Sequence, residues 1–378
     1  MRVVIVGGGV GGLACAQRLA HRDGGVQVTL IDRRLRHDFA PSFLWLMTGE
    51  RRPEAVSRSL SGLRRLGVEL TEAEVTSIDV ERGTVTTSSG DVPYDELVLA
   101  PGAVLAPESV PGLAEAAHGL YTRDDAEHLR DALAQFEGGR VLVAVASMPF
   151  KCPAAPYEAA FLIEDLLRRR GVSATVDVIT AEPHPLPVAG PDIGAQVQAL
   201  LEQRGIGFAP DRKLEAVDPS AKEAHFSDDR EPYDLLVAIP PHKAPEFVAA
   251  SSLAGPQGWI PVDPATLRPG ADAPLHAIGD VTAIALPNGM MLPKAGVFAH
   301  AEAEVVADNL AATAAGRTPD ARFDGHGSCF LEVGSGRAGF ASGDFYAPPS
   351  PAVRMHKPAR WWHLGKVLVE RRWLRRLQ

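Results

Sequence analysis

The chain opens Arg2-Val3-Val4-Ile5-Val6-Gly7-Gly8-Gly9-Val10-Gly11-Gly12-Leu13-Ala14-Cys15-Ala16, and a few residues later reads Val26-Gln27-Val28-Thr29-Leu30-Ile31-Asp32. Arg2 to Val6 predicts a short buried strand. It enters G-x-G-x-x-G at Gly7, Gly9 and Gly12, and Leu13 to Ala20 has helical composition. A second strand at Val26 to Ile31 ends on Asp32, 20 positions after Gly12, with Arg33 directly behind it. Glycine permits the tight turn and lets backbone approach a pyrophosphate, while the helix N-terminus offers free N–H groups and a positive dipole end. Asp32 can accept a hydrogen bond from a ribose 2′-hydroxyl. Strand, turn, helix, strand and acid in this register point to dinucleotide binding. Cys15, inside the helix, reads as a small apolar packing residue.

The rest of the composition sets limits. The chain has 378 residues, 46% hydrophobic and 22% charged, which suits two or three folded domains and excludes a disordered chain. Three cysteines are too few for a disulfide scaffold. No run of about 18 apolar residues exists, so no spanning helix is expected. The start lacks a charged segment leading into a cleavable apolar one, so a cytoplasmic chain without a signal peptide is expected. Residues 351–378 hold eight basic residues against one acidic, which leaves −16 on the first 350 residues of a chain with net charge −9. The acidic body argues against nucleic acid as a partner. The basic tail argues for an acidic surface, either a membrane or a partner protein.

Strands alternate with helices along the chain. Tyr94 to Ala100 is a strand meeting Pro101-Gly102, Val141 to Ala146 is an all-apolar strand, and Leu275 to Ile278 ends in Gly279-Asp280. Helices are expected at Asp124 to Phe136, Glu158 to Arg170, Gln196 to Arg204 and Ala299 to Ala315. This alternation implies parallel sheets in an α/β fold.

The N-terminal fingerprint, the Ala100-Pro101-Gly102 strand end and the later Gly279-Asp280 resemble the flavoproteins with two dinucleotide-binding domains. That resemblance implies an α/β fold of two Rossmann-like domains. A discontinuous FAD-binding domain would span residues 1–105 and 243–316. A second domain would span 106–242, and a C-terminal region would span 317–378. It assigns Gly7, Gly9, Gly12, Asp32, Arg33, Ala100, Gly102, Gly279 and Asp280 to FAD, with Asp280 on the ribityl chain. Pro101 stands where threonine is more usual.

The second domain lacks its own glycine fingerprint. No glycine occurs between Val141 and Arg170, and Pro149, Pro153 and Pro156 occupy the stretch after the strand. Proline offers no N–H to a phosphate and cannot adopt positive φ, so a pyridine nucleotide is not expected there. Cys152-Pro153-Ala154-Ala155-Pro156-Tyr157-Glu158 is instead similar to the motif of the sulfide:quinone oxidoreductases and of the flavocytochrome c sulfide dehydrogenase flavoprotein. Gly327-Ser328-Cys329-Phe330 matches their second redox cysteine. Pro41-Ser42-Phe43-Leu44-Trp45 resembles a further segment of these families, and Pro293-Lys294-Ala295-Gly296 their stretch beside the flavin. This adds Lys294 to the FAD residues and Cys152 and Cys329 as the catalytic pair. The flavocytochrome's covalent FAD link would fall near Pro41, which cannot form it, so noncovalent FAD is expected.

The resemblance implies that hydrosulfide attacks a Cys152–Cys329 bridge, leaving a persulfide on one cysteine. Cys329 then delivers the electron pair to FAD, which passes it to a membrane quinone. Lys151 reads equally as a group favouring a Cys152 thiolate or as a solvent-facing lysine. Glu158 reads as an ordinary carboxylate at a helix start. No metal-ligand spacing occurs. The alternatives are electron transfer to a cytochrome, a type II NADH:quinone oxidoreductase, and a non-enzymatic flavin persulfide sensor.

In the tail, Val369, Trp373 and Leu377 recur every four residues with Leu374 beside them. Arg371, Arg372, Arg375 and Arg376 fall opposite. Trp361, Leu364 and Leu368 make a separate stripe, which predicts a bend near Gly365. The pattern suits an amphipathic foot on the cytoplasmic face of the cell membrane. Removing residues 361–378 is expected to release the protein from lipid and leave FAD bound. The sequence leaves homo-oligomerisation open.

Overall fold

The computed structural model describes residues 1–22, 25–227, 229–271 and 273–377. Strand Arg2–Val6, fully apolar from Val3 onward, lies at the centre of a five-stranded sheet. It pairs in parallel with Gln27–Asp32 on one side and Glu96–Leu99 on the other. Glu69–Glu72 and Leu275–Ala277 add the outer strands, also parallel. The last of these arrives from late in the chain, so the first unit is discontinuous. An all-parallel sheet buries both faces. Helices Val10–Ala20 and Gly296–Ala314 cover one side through Leu13, Val306 and Leu310.

The second sheet centres on Gly139–Val145, paired in parallel with Ala174–Thr180 and Leu235–Ile239, with Gly207–Ala209 at the edge. Helices Ala155–Arg169 and Pro191–Gln203 pack on it. Both begin earlier than their apolar periodicity suggests. Pro156 and Pro191 stand in the first turn, where a missing N–H costs nothing. Val104–Leu105 and His242–Lys243, the two crossings between the units, pair with each other antiparallel.

The chain ends in three antiparallel strands, His326–Glu332, Ala338–Asp344 and Ala352–Ala359, followed by helix Arg360–Arg375. A single helix runs through Gly365. The faces differ from the expectation. Trp373, Leu374 and Leu377 are buried against Leu13, Leu60 and Leu63 of the first unit. Val369 is exposed, and so are Trp361 (68%), Leu364 (59%) and Leu368 (64%). Exposed Arg371, Arg372 and Arg375 continue this outward face at 100° per residue. Periodicity alone cannot choose between two apolar stripes; packing assigns the one nearer the C-terminus to the protein. Among the described residues, no helix is long and apolar enough to cross a membrane.

Candidate active site

The glycine loop is shaped by contacts that only glycine allows. Gly7 has φ +101°, and a Cβ there would stand 2.2 Å from the Ala100 carbonyl oxygen. A Cβ on Gly12 would stand 1.9 Å from the Gly7 oxygen, so strand and helix approach through it. A Cβ on Gly9 would meet nothing within 4 Å: that position faces open space at the mouth of the helix. No side chain caps the helix. Asp32 accepts from the Gly8 N–H at 2.6 Å and the Arg34 N–H at 2.9 Å, while Arg33 is exposed. Gly102 (φ +74°) and Gly279 (φ +74°) make the turns that end the two neighbouring strands.

Across the sheet ends, Asp280 lies buried enough that its carboxyl is pushed up, against the opposing pull of Lys151 and Lys294. Lys294 is itself spent. Its ammonium donates to the carbonyls of Asp280 (2.7 Å) and Thr282 (3.0 Å) and lies 3.6 Å from the Trp259 ring centroid. Burial lowers it to about 8. Lys294 thus braces the Asp280 turn. Nearby, Tyr121 packs edge-on against His242 at 5.2 Å, and the Tyr121 hydroxyl and His242 Nε2 have no hydrogen-bond partner among the described residues. A loop with free N–H groups, open space beyond Gly9 and orphaned polar atoms at the far end suit a flavin dinucleotide.

The strand Gly139–Val145 runs into Ser147 to Ala154, where a pyridine-nucleotide domain would carry its phosphate loop. Here the loop reaches across to the first unit. The Cys152 N–H donates to the Lys294 carbonyl at 2.6 Å, and Cys152 takes φ +51°. That conformation turns Cys152 into a cavity of about 420 Å³ whose wall also carries Cys329, from strand His326–Glu332. Met148, Met290, Met291 and Leu186 make its walls apolar, with Glu182 as a carboxyl among them. The two residues, 177 positions apart, thus share one chamber, and both are free thiols.

Cys329 is exposed at this chamber, and the protein around it pushes its thiol up to about 12. Burial, then the neighbouring Cys329 and Glu158, also raises Cys152 well above the usual thiol range; Lys366 pulls both thiols down. Lys366 is one of the eight basic residues counted in residues 351–378. It is buried, and its Nζ lies 2.7 Å from Glu158 Oε1. Glu158 is correspondingly no ordinary helix-end carboxylate: it is 2% exposed and also accepts the Glu332 N–H at 2.9 Å. Burial works against the Lys366 charge, but Glu158 and Glu332 outweigh it and hold the ammonium above its usual range. His363 Nδ1 lies 3.0 Å from Glu332 and closes the cluster. Lys151 fits neither expected role fully. Burial lowers it while Asp280, Asp125 and the Cys152 thiol pull it back up, and it lies over the Tyr121 ring at 5.4 Å.

Glu182 marks what became of the nucleotide site in this unit. It follows the second strand, where an acid would meet a ribose. Here it accepts from the Tyr157 hydroxyl and from Thr180 Oγ1 at 3.2 Å, and burial pushes it up to about 7. Tyr157, from the motif after Cys152, is itself fully buried.

Comparison with known proteins agrees with this architecture. A curated sulfide:quinone oxidoreductase of Mus musculus mitochondria is 26% identical over 360 residues, covering 92% of this chain and 79% of that one. The sulfide-quinone reductase of Aquifex aeolicus is 27% identical over 391 residues, covering 98% and 90%. The crystal structure of the Aquifex aeolicus sulfide:quinone oxidoreductase superposes with a TM-score of 0.90 at 27% identity, covering 100% of this chain and 91% of that one. The family model described as pyridine nucleotide-disulphide oxidoreductase matches residues 1–303. The chain belongs to the pyridine nucleotide-disulphide oxidoreductase family.

Proposed function

We propose that this protein is an FAD-dependent sulfide:quinone oxidoreductase working through Cys152 and Cys329. The observation that carries the reading is that two thiols from separate units open into one apolar chamber on the loop where a pyridine nucleotide would otherwise bind. Gly7, Gly9, Gly12 and Asp32 would hold the dinucleotide end of FAD without a covalent link, and Ala100, Gly102, Gly279 and Asp280 its flavin end. When bound, FAD supplies a two-electron acceptor that a quinone reoxidises.

The protein's part begins with the oxidised pair. Hydrosulfide attacks one sulfur of a Cys152–Cys329 disulfide; an S–S bond forms to the incoming sulfur and the old one breaks. One cysteine carries the persulfide, the other leaves as thiolate, and the electron pair it holds is the one to be passed on. Lys366 steadies that thiolate by its charge. The chamber is many times the roughly 30 Å³ of a water-sized guest, which supports a growing sulfane chain as product. The outward face of the C-terminal helix, with Trp361, Leu364 and Leu368 ahead of three arginines, suits a headgroup layer and brings the protein to a lipid-soluble quinone at the cytoplasmic face.

The test is anaerobic reduction of the bound flavin by sulfide in Cys152→Ser and Cys329→Ser. Each substitution is expected to abolish rapid bleaching. Wild-type rates in both would remove the thiol pair from the mechanism.

A further inference from the structure

We propose that Trp373, near the C-terminus, is a positioning residue for the FAD phosphate loop, acting through the tautomer of His37. This rests on the FAD reading above. His37 is 2% exposed and lies between two groups of fixed polarity. Its Nδ1 is 3.0 Å from the Gly8 carbonyl oxygen, and its Nε2 is 2.8 Å from the Trp373 indole Nε1. An indole N–H can only donate and a carbonyl can only accept. Nε2 must therefore carry the lone pair and Nδ1 the proton. Burial disfavours the imidazolium, in which both nitrogens would donate.

The consequence falls on Gly8. Its N–H is held by Asp32 at 2.6 Å and its carbonyl by His37. With both groups engaged, the Gly7-Gly8-Gly9 conformation is fixed before any ligand arrives, and the space beyond Gly9 stays open. Such preorganisation contributes to affinity by sparing the ligand the ordering of the loop. Trp373 is fixed in turn. It stacks on Phe39 at 5.8 Å, meets His300 edge-on at 5.3 Å, and is followed by the Arg376 carbonyl, which accepts from Gln17 of the fingerprint helix at 2.9 Å. A residue 336 positions from His37 thus completes the site. On this proposal, cutting away the C-terminal helix weakens FAD binding, where the reading of the sequence expected none of it to be lost.

The experiment uses the holoprotein. Trp373→Phe keeps the ring and deletes only the donor. One buried hydrogen bond corresponds to roughly a three- to tenfold change, so FAD should leave about that much faster, read as recovery of free-flavin fluorescence. In His37→Leu, adding Trp373→Phe should cause no further loss. Imidazole nitrogen NMR of the wild type should show the Nδ1–H tautomer at His37. FAD release unchanged in Trp373→Phe, or an Nε2–H tautomer in the wild type, overturns the proposal. If Trp373→Phe does not fold, the wild-type tautomer decides alone. Wild-type protein that takes up no FAD would instead defeat the functional reading.

Discussion

Lys366→Met probes the cluster that lies behind the thiols. In the wild type the Lys366 ammonium and the Glu158 carboxylate meet at 2.7 Å, both almost wholly buried. Removing one partner of such a pair leaves an uncompensated charge and costs about 3–5 kcal/mol, whereas replacing both partners costs far less. The unfolding entropy of a 378-residue chain is about 0.8 kcal/mol per kelvin. The single variant should therefore melt about 4–6 °C below wild type. The double variant Lys366→Met/Glu158→Gln should recover most of that loss, giving a coupling energy in a double-mutant cycle at least as large as the single-variant loss, about 3 kcal/mol or more. Chemistry gives a second readout. Lys366 lowers both thiols, so the single variant should alkylate more slowly with iodoacetamide at mildly alkaline pH. The double variant, freed of the opposing Glu158 charge as well, should fall between. Calorimetric scans and alkylation rates measure both. Additive melting shifts, or alkylation unchanged in Lys366→Met, would refute the claim that this pair sets the charge around the cysteines.

Gly9→Ala should leave the apoprotein's melting temperature within about 1 °C, because the added methyl meets no protein atom, yet weaken FAD binding at least about tenfold if the pyrophosphate lies there. Fluorescence titration of apoprotein checks it. Glu182→Gln tests the buried carboxyl: its folded value of about 7 stands above the unfolded one, so its contribution is complete below about pH 4.5 and is lost as pH rises through 7. Between pH 4.5 and 8 the variant should gain on wild type by about 3 kcal/mol, read from paired melting curves. Replacing Trp361, Leu364 and Leu368 with serine should leave the fold unchanged and reduce binding to anionic vesicles at least about tenfold, since each exposed side chain contributes roughly 1–2 kcal/mol on burial. Flotation assays at low and high salt separate this from the arginines.

What the sequence made legible was local. The fingerprint could be read because Gly7, Gly9 and Gly12 answer to geometry within a dozen residues. The missing second fingerprint could be read because three prolines cannot do what glycines do. The two cysteines came together through resemblance, since nothing in their spacing brings them near. The Lys366–Glu158 pair was hidden for a related reason: its members are 208 residues apart, one in a basic tail and one at a helix start, and each has a commonplace surface role. Trp373 and Trp361 carried equal apolar weight in the helix pattern. Burial against Leu13, Leu60 and Leu63, with His37 opposite Trp373, distinguishes the inward face from the outward one. Glu182 had a findable signal, an acid just after the second strand of a Rossmann-like unit, where it now accepts from the Tyr157 hydroxyl.

The central claim is that a pair of thiols has taken over the place of a pyridine nucleotide. Its most direct test is anaerobic stopped-flow mixing of the oxidised holoprotein with sulfide and, separately, with NADH, following flavin absorbance. The account predicts rapid bleaching by sulfide and none by NADH on the same timescale. Rapid bleaching by NADH with no response to sulfide would contradict it.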